Sequence, residues 1–558
     1  MNYNKIFRNG IVSLCLLFAL SSCEKKLDLF PQNDMTLDKV YNSYSGYQSV
    51  LAKIYGAMSI GGNTGPSGTP DISGKLDEGS QIAFIRPFFN CQELPTDEAV
   101  CFWNDQTIKT YHNLNYTSDD PFIKGMYARP IWNITLINEY LRQSSDSKLG
   151  GIGLTAKQLT DLKASRAEVR FLRAFNYWVM MDIFGKSTFI TENDIPGSGN
   201  PAQISRANLF NYISNELKSI ENDLPAPHTQ VYGRVDRGAA WALMARIQLN
   251  ANVYLNTPTD TKHYDTAITY ASKVINGGYS LNTGSNGYQQ LFMADNDKRT
   301  NEIIWAIECD GLVTQGYGNT TFLVNAASGD DKGTDYFAGA SGAGWKGYTA
   351  TKSLSSKFAD PSGLTDTRAM FTTSKFSPSP DQVELTNDLL TVNESVFPNL
   401  GSGVHVNKFR NFRSDGLPTS DVTSHSFADI DFPVFRLAEM YLIYAEAVLR
   451  GGSGGSSASA VDYINLLRQR AYGNTSGNIS AVQLDLNFVL DERGRELYWE
   501  GHRRTDLVRY GYLTSSSYLW PWKAGVNSGA GTDSKYNLFP IPSSIRNSNP
   551  NLDQNTGF

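Results

Sequence analysis

Between Thr160 and Phe184 the apolar side chains return at close to 3.6-residue spacing. Leu162, Ala164, Ala167, Val169, Phe171, Leu172, Ala174, Phe175, Trp178 and Val179 mark the run, and Gly185 ends it as a C-cap glycine would. That period commits the stretch to an amphipathic helix, and more of the same follows. Ala202 to Leu224 carries Leu209, Phe210, Ile213, Leu217 and Ile220 on one face. Val235 to Tyr254 is alanine-rich, which suits close helix–helix approach, and Tyr264 to Asn276 has a similar pattern. Val434 to Leu449 and Ala458 to Tyr472 make another pair, and Leu486 to Arg509 reads as a last strong helix. Helix pairs of this size with small residues at the contacts have the architecture of tetratricopeptide units, although that repeat's Trp-Leu-Gly spacing is not visible.

Between Tyr279 and Phe432 the character changes. Gly, Ser, Thr, Asn and Asp are dense, helical periodicity fades, and aromatic residues sit inside polar loops. Long loops inside an ordered protein usually carry function, and short strands such as Glu302–Ile307 would brace them. The expected fold is mainly α: tetratricopeptide-like helix pairs form a framework supporting a loop-rich, aromatic ligand-binding face with a few short strands. The expected divisions are residues 1–22 (a leader), 23–278 (helical, with part of the ligand face), 279–432 (loop-rich, ligand-binding) and 433–558 (helical).

The leader has Lys5 and Arg8, an apolar run from Ile11 to Leu20, and then Ser21-Ser22-Cys23. That is the layout of a secretory signal. Its run of about ten residues is too short to span ~30 Å of hydrocarbon as a helix. A cysteine after Leu-small-small resembles a bacterial lipobox, in which the thiol is lipidated and the chain is cut before it. Cys23 is thus the expected lipid attachment point, with residues 1–22 a signal peptide and everything after Cys23 in water.

Composition narrows the partners. The chain is 41% hydrophobic and 19% charged with a formal charge of −6. Such a chain is globular, and its acidity argues against nucleic acid, which needs clustered Lys and Arg. Its 558 residues suffice for two to four domains or one large multi-lobed body. Past Cys23 the cysteines are Cys91, Cys101 and Cys309, too few for a disulfide framework. Cys91 and Cys101 would either close a small loop or stay buried as free thiols. No Cys-x-x-Cys pair or Cys/His cluster offers zinc a site. Aromatic residues reach 12%, mixed with Asn, Gly and Ser. That mixture fits carbohydrate contact, because sugar rings offer apolar faces to stack and hydroxyls to bond.

Several segments together resemble the SusD/RagB family of surface glycan-binding lipoproteins of Bacteroidetes. They are Ala167-Glu168-Val169-Arg170-Phe171-Leu172-Arg173-Ala174 with Asp182-Ile183-Phe184-Gly185, and Gly233-Arg234-Val235-Asp236-Arg237-Gly238. Phe435-Arg436-Leu437-Ala438-Glu439-Met440-Tyr441-Leu442 follows, then Asp491-Glu492-Arg493, Arg495-Glu496-Leu497, Glu500-Gly501-His502-Arg503-Arg504 and Asp506-Leu507-Val508-Arg509. Phe539-Pro540-Ile541-Pro542 and the closing Gln554-Asn555-Thr556-Gly557-Phe558 complete the set. The resemblance implies a lipid-anchored outer-membrane protein without catalytic activity, partnered by a SusC-like TonB-dependent transporter. On the residues themselves, Arg493, Arg495, Glu496, Glu500 and Arg503 suit ion pairs at helix spacing, with His502 inside that polar network.

Phe89-Asn90-Cys91, Glu93-Leu94-Pro95-Thr96-Asp97-Glu98, Leu291-Phe292-Met293-Ala294-Asp295-Asn296-Asp297 and Phe409-Arg410-Asn411-Phe412-Arg413-Ser414-Asp415-Gly416 are similar to the family's starch-binding founder. The resemblance then places a curved set of three aromatics, Trp103, Tyr317 and Trp345, against an α-1,4-glucan. Arg86 would donate hydrogen bonds to sugar hydroxyls. Gln106, or Asn104 after a shift, would stand where the founder has an asparagine. It also implies a structural Ca²⁺ at Asp297, Asp429 and Asp431, whose carboxylates are the hard oxygens that ion prefers; no organic cofactor is implied.

Two other readings compete with starch capture. A glycoside hydrolase needs two carboxylates ~5–9.5 Å apart, a role open to Glu93, Asp97 and Glu98. A helical scaffold lipoprotein would bind no sugar, but it has no need of Trp345 in a glycine-rich tip. Other glycans, or peptides, remain alternative ligands of the same transporter system.

Overall fold

The computed structural model describes residues 36–558 apart from 73–75, 78, 80, 104, 106, 285, 330, 331, 341 and 374–403. Cys23 and the leader, Asn104 and Gln106 lie outside the described residues.

The helix Ala156–Ile183 is the spine of the framework. Thr155 opens it with a capping box: its hydroxyl accepts from the Gln158 N–H while the Gln158 side chain accepts from the Thr155 N–H. From Ala167 to Ile183 every residue except Arg170 is buried. The helix is therefore enclosed, and not merely laid on a core by one stripe. Pro121–Gln143 packs on one side of it and Arg206–Ile220 on the other. Pro121–Gln143 is missing from the sequence reading because Pro130 interrupts its pattern; Asp120 nonetheless caps it, accepting from the Phe122 and Ile123 N–H groups. Arg237–Leu249, Lys262–Ile275, Leu437–Leu449 and Ser457–Tyr472 then pack each on the next. Ala239, Ala240, Ala242 and Ala245 are buried, as close helix approach requires. The fold is the mainly helical framework expected, and the described strands pair only two by two.

Two expected helices end differently. Phe432–Arg436 is a strand, paired antiparallel with Ile303–Ile307 across a bulge, and its helix begins only at Leu437. Val434 and Phe435 suit a strand, and pairing with Ile303–Ile307 holds them in one. Leu486 to Arg509 is two helices, Leu486–Leu497 and Arg503–Arg509. Between them Trp499 and Gly501 take φ of 63° and 81°, and a Cβ on Gly501 would collide with the Phe88 ring. That turn docks on the helix Ile85–Glu93, where Glu93 accepts the Gly501 N–H at 2.7 Å and the His502 N–H at 3.3 Å.

The ion pairs also differ from the expectation of helix-spaced partners. Arg495 pairs locally with Glu492, but Glu496 is held by Arg368, Arg436 and Arg470, Glu500 by Lys408 and Arg436, Arg493 by Asp506, and Arg503 by Asp97. These charges tie distant parts of the chain to one another. One continuous apolar core draws on residues from Tyr41 to Ile541. Cys91, Cys101 and Cys309 are buried free thiols; burial pushes those of Cys101 and Cys309 up to about 12.

Candidate functional site

The loop-rich stretch is organised around one short helix, Thr320–Ala327. Asn319 caps its N-terminus, accepting the Thr321 N–H, and Tyr317 stands just before that cap. A helix leaves its last carbonyls without internal partners. Here they are met by a second loop. The Trp345 N–H donates to the Asn325 carbonyl at 2.7 Å, Gly347 to Ala326 at 3.0 Å and Lys346 to Ser328 at 3.1 Å. The loop bearing Trp345 is thereby fixed by its backbone, and its indole, packed against the core, stays half-buried.

A third segment comes from far along the chain. Ala99–Cys101 pairs antiparallel with Tyr348–Ala350, Cys101 opposite Tyr348, and the Phe102 N–H extends the ladder to the Gly347 carbonyl at 2.7 Å. Trp103 follows and lands beside Trp345. Their ring centroids are 6.3 Å apart at 46°, and Tyr317 lies 6.0 Å from Trp345 at 58°. All three rings are half-buried. The structure so brings together Trp103, Trp345 and Tyr317 as a succession of inclined apolar faces, with Trp345 in ring contact with both of the others. Tyr348 meets Trp103 edge-on at 5.2 Å, and buried Phe427 backs Tyr317 at 5.3 Å.

Arg86 sits beneath this strip on the helix Ile85–Glu93. Its guanidinium lies 5.3 Å from the Trp103 ring and 4.9 Å from Phe322, and the residue is 6% exposed. One terminal nitrogen reaches Asp105 at 3.5 Å, whose side chain is 48% exposed; Nε is buried without a hydrogen-bond partner. Arg86 is thus as much a support for Trp103 as a donor at the surface. Asp105 was not singled out from sequence, where a lone acid two residues past a tryptophan carries no signal.

Glu93, Asp97 and Glu98 are buried. Burial opposes ionisation of Asp97, yet Arg503, at 2.6 and 2.9 Å, and Lys357 hold its carboxyl well below the usual range. Burial, with neighbouring Glu98 adding to it, holds the Glu93 carboxyl well above that range. These acids lock the Arg503 end of the framework in place and present no pair of carboxylates to a substrate in solvent.

Asp297, Asp429 and Asp431 line one cavity of about 560 Å³, together with Tyr232, Glu308 and Asp310. Asp429 has both oxygens engaged, by the Gly311 N–H at 2.8 Å and the Ser420 N–H at 2.6 Å, and so pins two loops together. Asp431 accepts the Cys309 N–H at 2.7 Å. Burial, with Glu308 and Asp297 adding to it, pushes its carboxyl up to about 8. Among the described residues no three acidic, histidine or cysteine side chains meet as a ready-made cage for an ion. The donor chemistry of Asp297, Glu308 and Asp431 nevertheless fits a hard cation, which would relieve their mutual repulsion.

Comparison with known proteins adds an independent line. The family model of the SusD family matches residues 301–558. "Starch-binding protein SusD" of Bacteroides thetaiotaomicron is 34% identical over 99% of this chain and 98% of its own. A SusD-like protein of Formosa agariphila is 23% identical over 91% of this chain and 90% of its own. Among solved structures, a SusD superfamily protein from Bacteroides thetaiotaomicron superposes with a TM-score of 0.67 at 18% identity, covering 92% of this chain and 99% of that one. Surface glycan-binding protein A from Bacteroides fluxus gives 0.66 at 18%, covering 93% and 100%. The structural likenesses are ones of fold.

Proposed function

The chain belongs to the SusD family, and from that premise we propose that it captures starch or maltooligosaccharides at the cell surface for an outer-membrane TonB-dependent transporter of the SusC type. The observation that carries the ligand class is the succession Trp103, Trp345, Tyr317, whose neighbouring planes are inclined at 46° and 58° and so are not coplanar. An α-1,4-glucan turns from one sugar to the next and can lay successive rings on successive inclined aromatic faces; a β-1,4-glucan runs straight and cannot. Each stacked ring buries C–H surface worth ~1 kcal/mol by comparison with aromatic pairs. Three such contacts with a few hydrogen bonds give a Kd on the order of 10⁻⁴–10⁻³ M, which suffices where many copies meet one polymer. Asp105, backed by Arg86 beneath the strip, forms its polar edge, and Gln106 follows Asp105 in sequence. The protein binds and does not cleave.

Among the described residues no helix is long and apolar enough to cross a membrane. A lipid on Cys23 is the tether in this reading, and it holds the aromatic strip at the outer surface. Calorimetric titration of the chain lacking residues 1–23 tests the ligand class, using maltoheptaose, a cyclic maltooligosaccharide and cellohexaose. Both α-glucans should bind weakly, cellohexaose should not, and no new reducing ends should appear. Equal binding of cellohexaose would refute the curvature reading, and cleavage would refute the binder.

Ca²⁺ belongs to the same reading as a structural ion, held by Asp297 and Asp431 with Glu308 contributing charge. Added Ca²⁺ should raise the melting temperature, and a chelator should lower it again. The pair Asp297→Asn with Asp431→Asn should abolish that response while leaving glucan affinity within about twofold. A calcium response that survives both substitutions would place the ion elsewhere.

A further inference from the structure

Gly347 poses a question that its own backbone does not answer. The residue before it, Lys346, has φ of 54°, the left-handed region that favours glycine, whereas Gly347 does not take a positive φ. The glycine is therefore absent where torsion asks for it and present where torsion does not. Space supplies the reason. A Cβ on Gly347 would lie closer than 3.0 Å to Cε2, Nε1 and Cζ2 of Trp103. The edge of the indole fills the place of the missing side chain.

Neither partner can step aside cheaply. The Gly347 N–H is tied to Ala326 at 3.0 Å and its carbonyl to Phe102 at 2.7 Å, so the backbone is held from both sides. Trp103 Nε1–H donates to the Trp345 carbonyl at 3.0 Å, while the Arg86 guanidinium supports the ring at 5.3 Å. Contact with the glycine thus sets the plane of Trp103 relative to Trp345.

We infer that Gly347 is a positioning residue of the aromatic strip, fixing the Trp103 plane without itself touching the ligand. This rests on the glycan-binding reading of the same strip. Gly347→Ala displaces the indole, breaks its bond to the Trp345 carbonyl and loses the 6.3 Å ring pair. Affinity for maltoheptaose should fall about fivefold, as in Trp103→Ala, and the double variant should bind no worse than Trp103→Ala alone, since coupled residues are non-additive.

A ligand-free readout separates this from the fate of the function. Two indoles this close give an exciton couplet in far-ultraviolet circular dichroism, which Trp103→Ala abolishes. The couplet should vanish in Gly347→Ala while the helical signal stays. If the wild type binds none of the glucans, the function fails and the couplet alone judges Gly347. If Gly347→Ala does not fold, restored folding on adding Trp103→Ala supports the proposal, and a double variant that also fails overturns it. A retained couplet, or losses that add, would overturn it as well.

Discussion

Replacing Glu496 with alanine is expected to leave much of the protein unfolded, or to lower its stability by about 5 kcal/mol. Glu496 is fully buried, and its carboxylate accepts from Arg436 at 2.9 Å, from Arg368 at 3.2 Å and from Arg470. Removing it strands three guanidiniums in the interior with less negative charge than they need. A native fold is stabilised by only about 5–15 kcal/mol in total, so one such loss approaches the whole margin. Glu496→Gln keeps the shape but not the charge and should fall between. Lys157, whose pair with Asp161 lies at the surface, is the control, and Lys157→Ala should change nothing measurable. The denaturant midpoint followed by circular dichroism decides it; a Glu496→Ala protein as stable as the wild type would show that the network contributes little.

The same carboxylate predicts an acid limit. Burial alone would raise its pKa, but Arg470, Arg436 and Arg368 bring it down to about 2 from an ordinary 4.5. A group depressed in the folded state contributes stability that is fully present above its unfolded pKa and is lost as pH falls through its folded one. Glu446, held by Arg509 and Arg450, also falls to about 2. Stability should therefore decline from near pH 4.5 down to about 2, and Glu496→Gln should flatten that decline.

Much of the framework was legible in sequence because helices announce themselves locally. The period of Leu162 to Val179 and the alanines of 239–245 need only neighbours a few residues away to be read. What was not legible depended on partners far off. Nothing near Gly501 says that its N–H will be claimed by Glu93, so the break after Leu497 passed as continuous helix. Arg493, Arg495 and Glu496 carry helix spacing, yet most of their partners come from other segments, because a buried charge needs several donors and one helix face supplies only one or two. The aromatic strip falls between these cases. Trp103, Tyr317 and Trp345 came from resemblance, and no local pattern joins residues 242 apart. Their joining depends on a strand pair, a capped helix end and a glycine. Asp105 and Gly347 matter only once that geometry exists.

Trp345→Ala should reduce glucan binding more than any other truncation in the strip, to a Kd beyond about 10⁻² M. Trp345 is the middle ring in the sense that it alone contacts both others, Trp103 at 6.3 Å and Tyr317 at 6.0 Å. Losing an outer ring shortens the platform by one sugar and should weaken binding about fivefold, the value of ~1 kcal/mol. Losing the middle ring leaves two isolated faces, and a glucan bridging them must hold its own curvature over the gap without contact. The fold should not suffer, because the loop is anchored by its backbone to the carbonyls of Asn325, Ala326 and Ser328. The Trp345 carbonyl that accepts from Trp103 also survives the substitution, so the remaining rings keep their places. Trp345→Phe should recover much of the affinity, since a smaller ring still offers a face. Calorimetry with maltoheptaose, beside melting curves to show an intact fold, gives the answer. If Trp345→Ala and Tyr317→Ala weaken binding equally, the rings act as independent contacts, and the curved platform is not what selects the ligand.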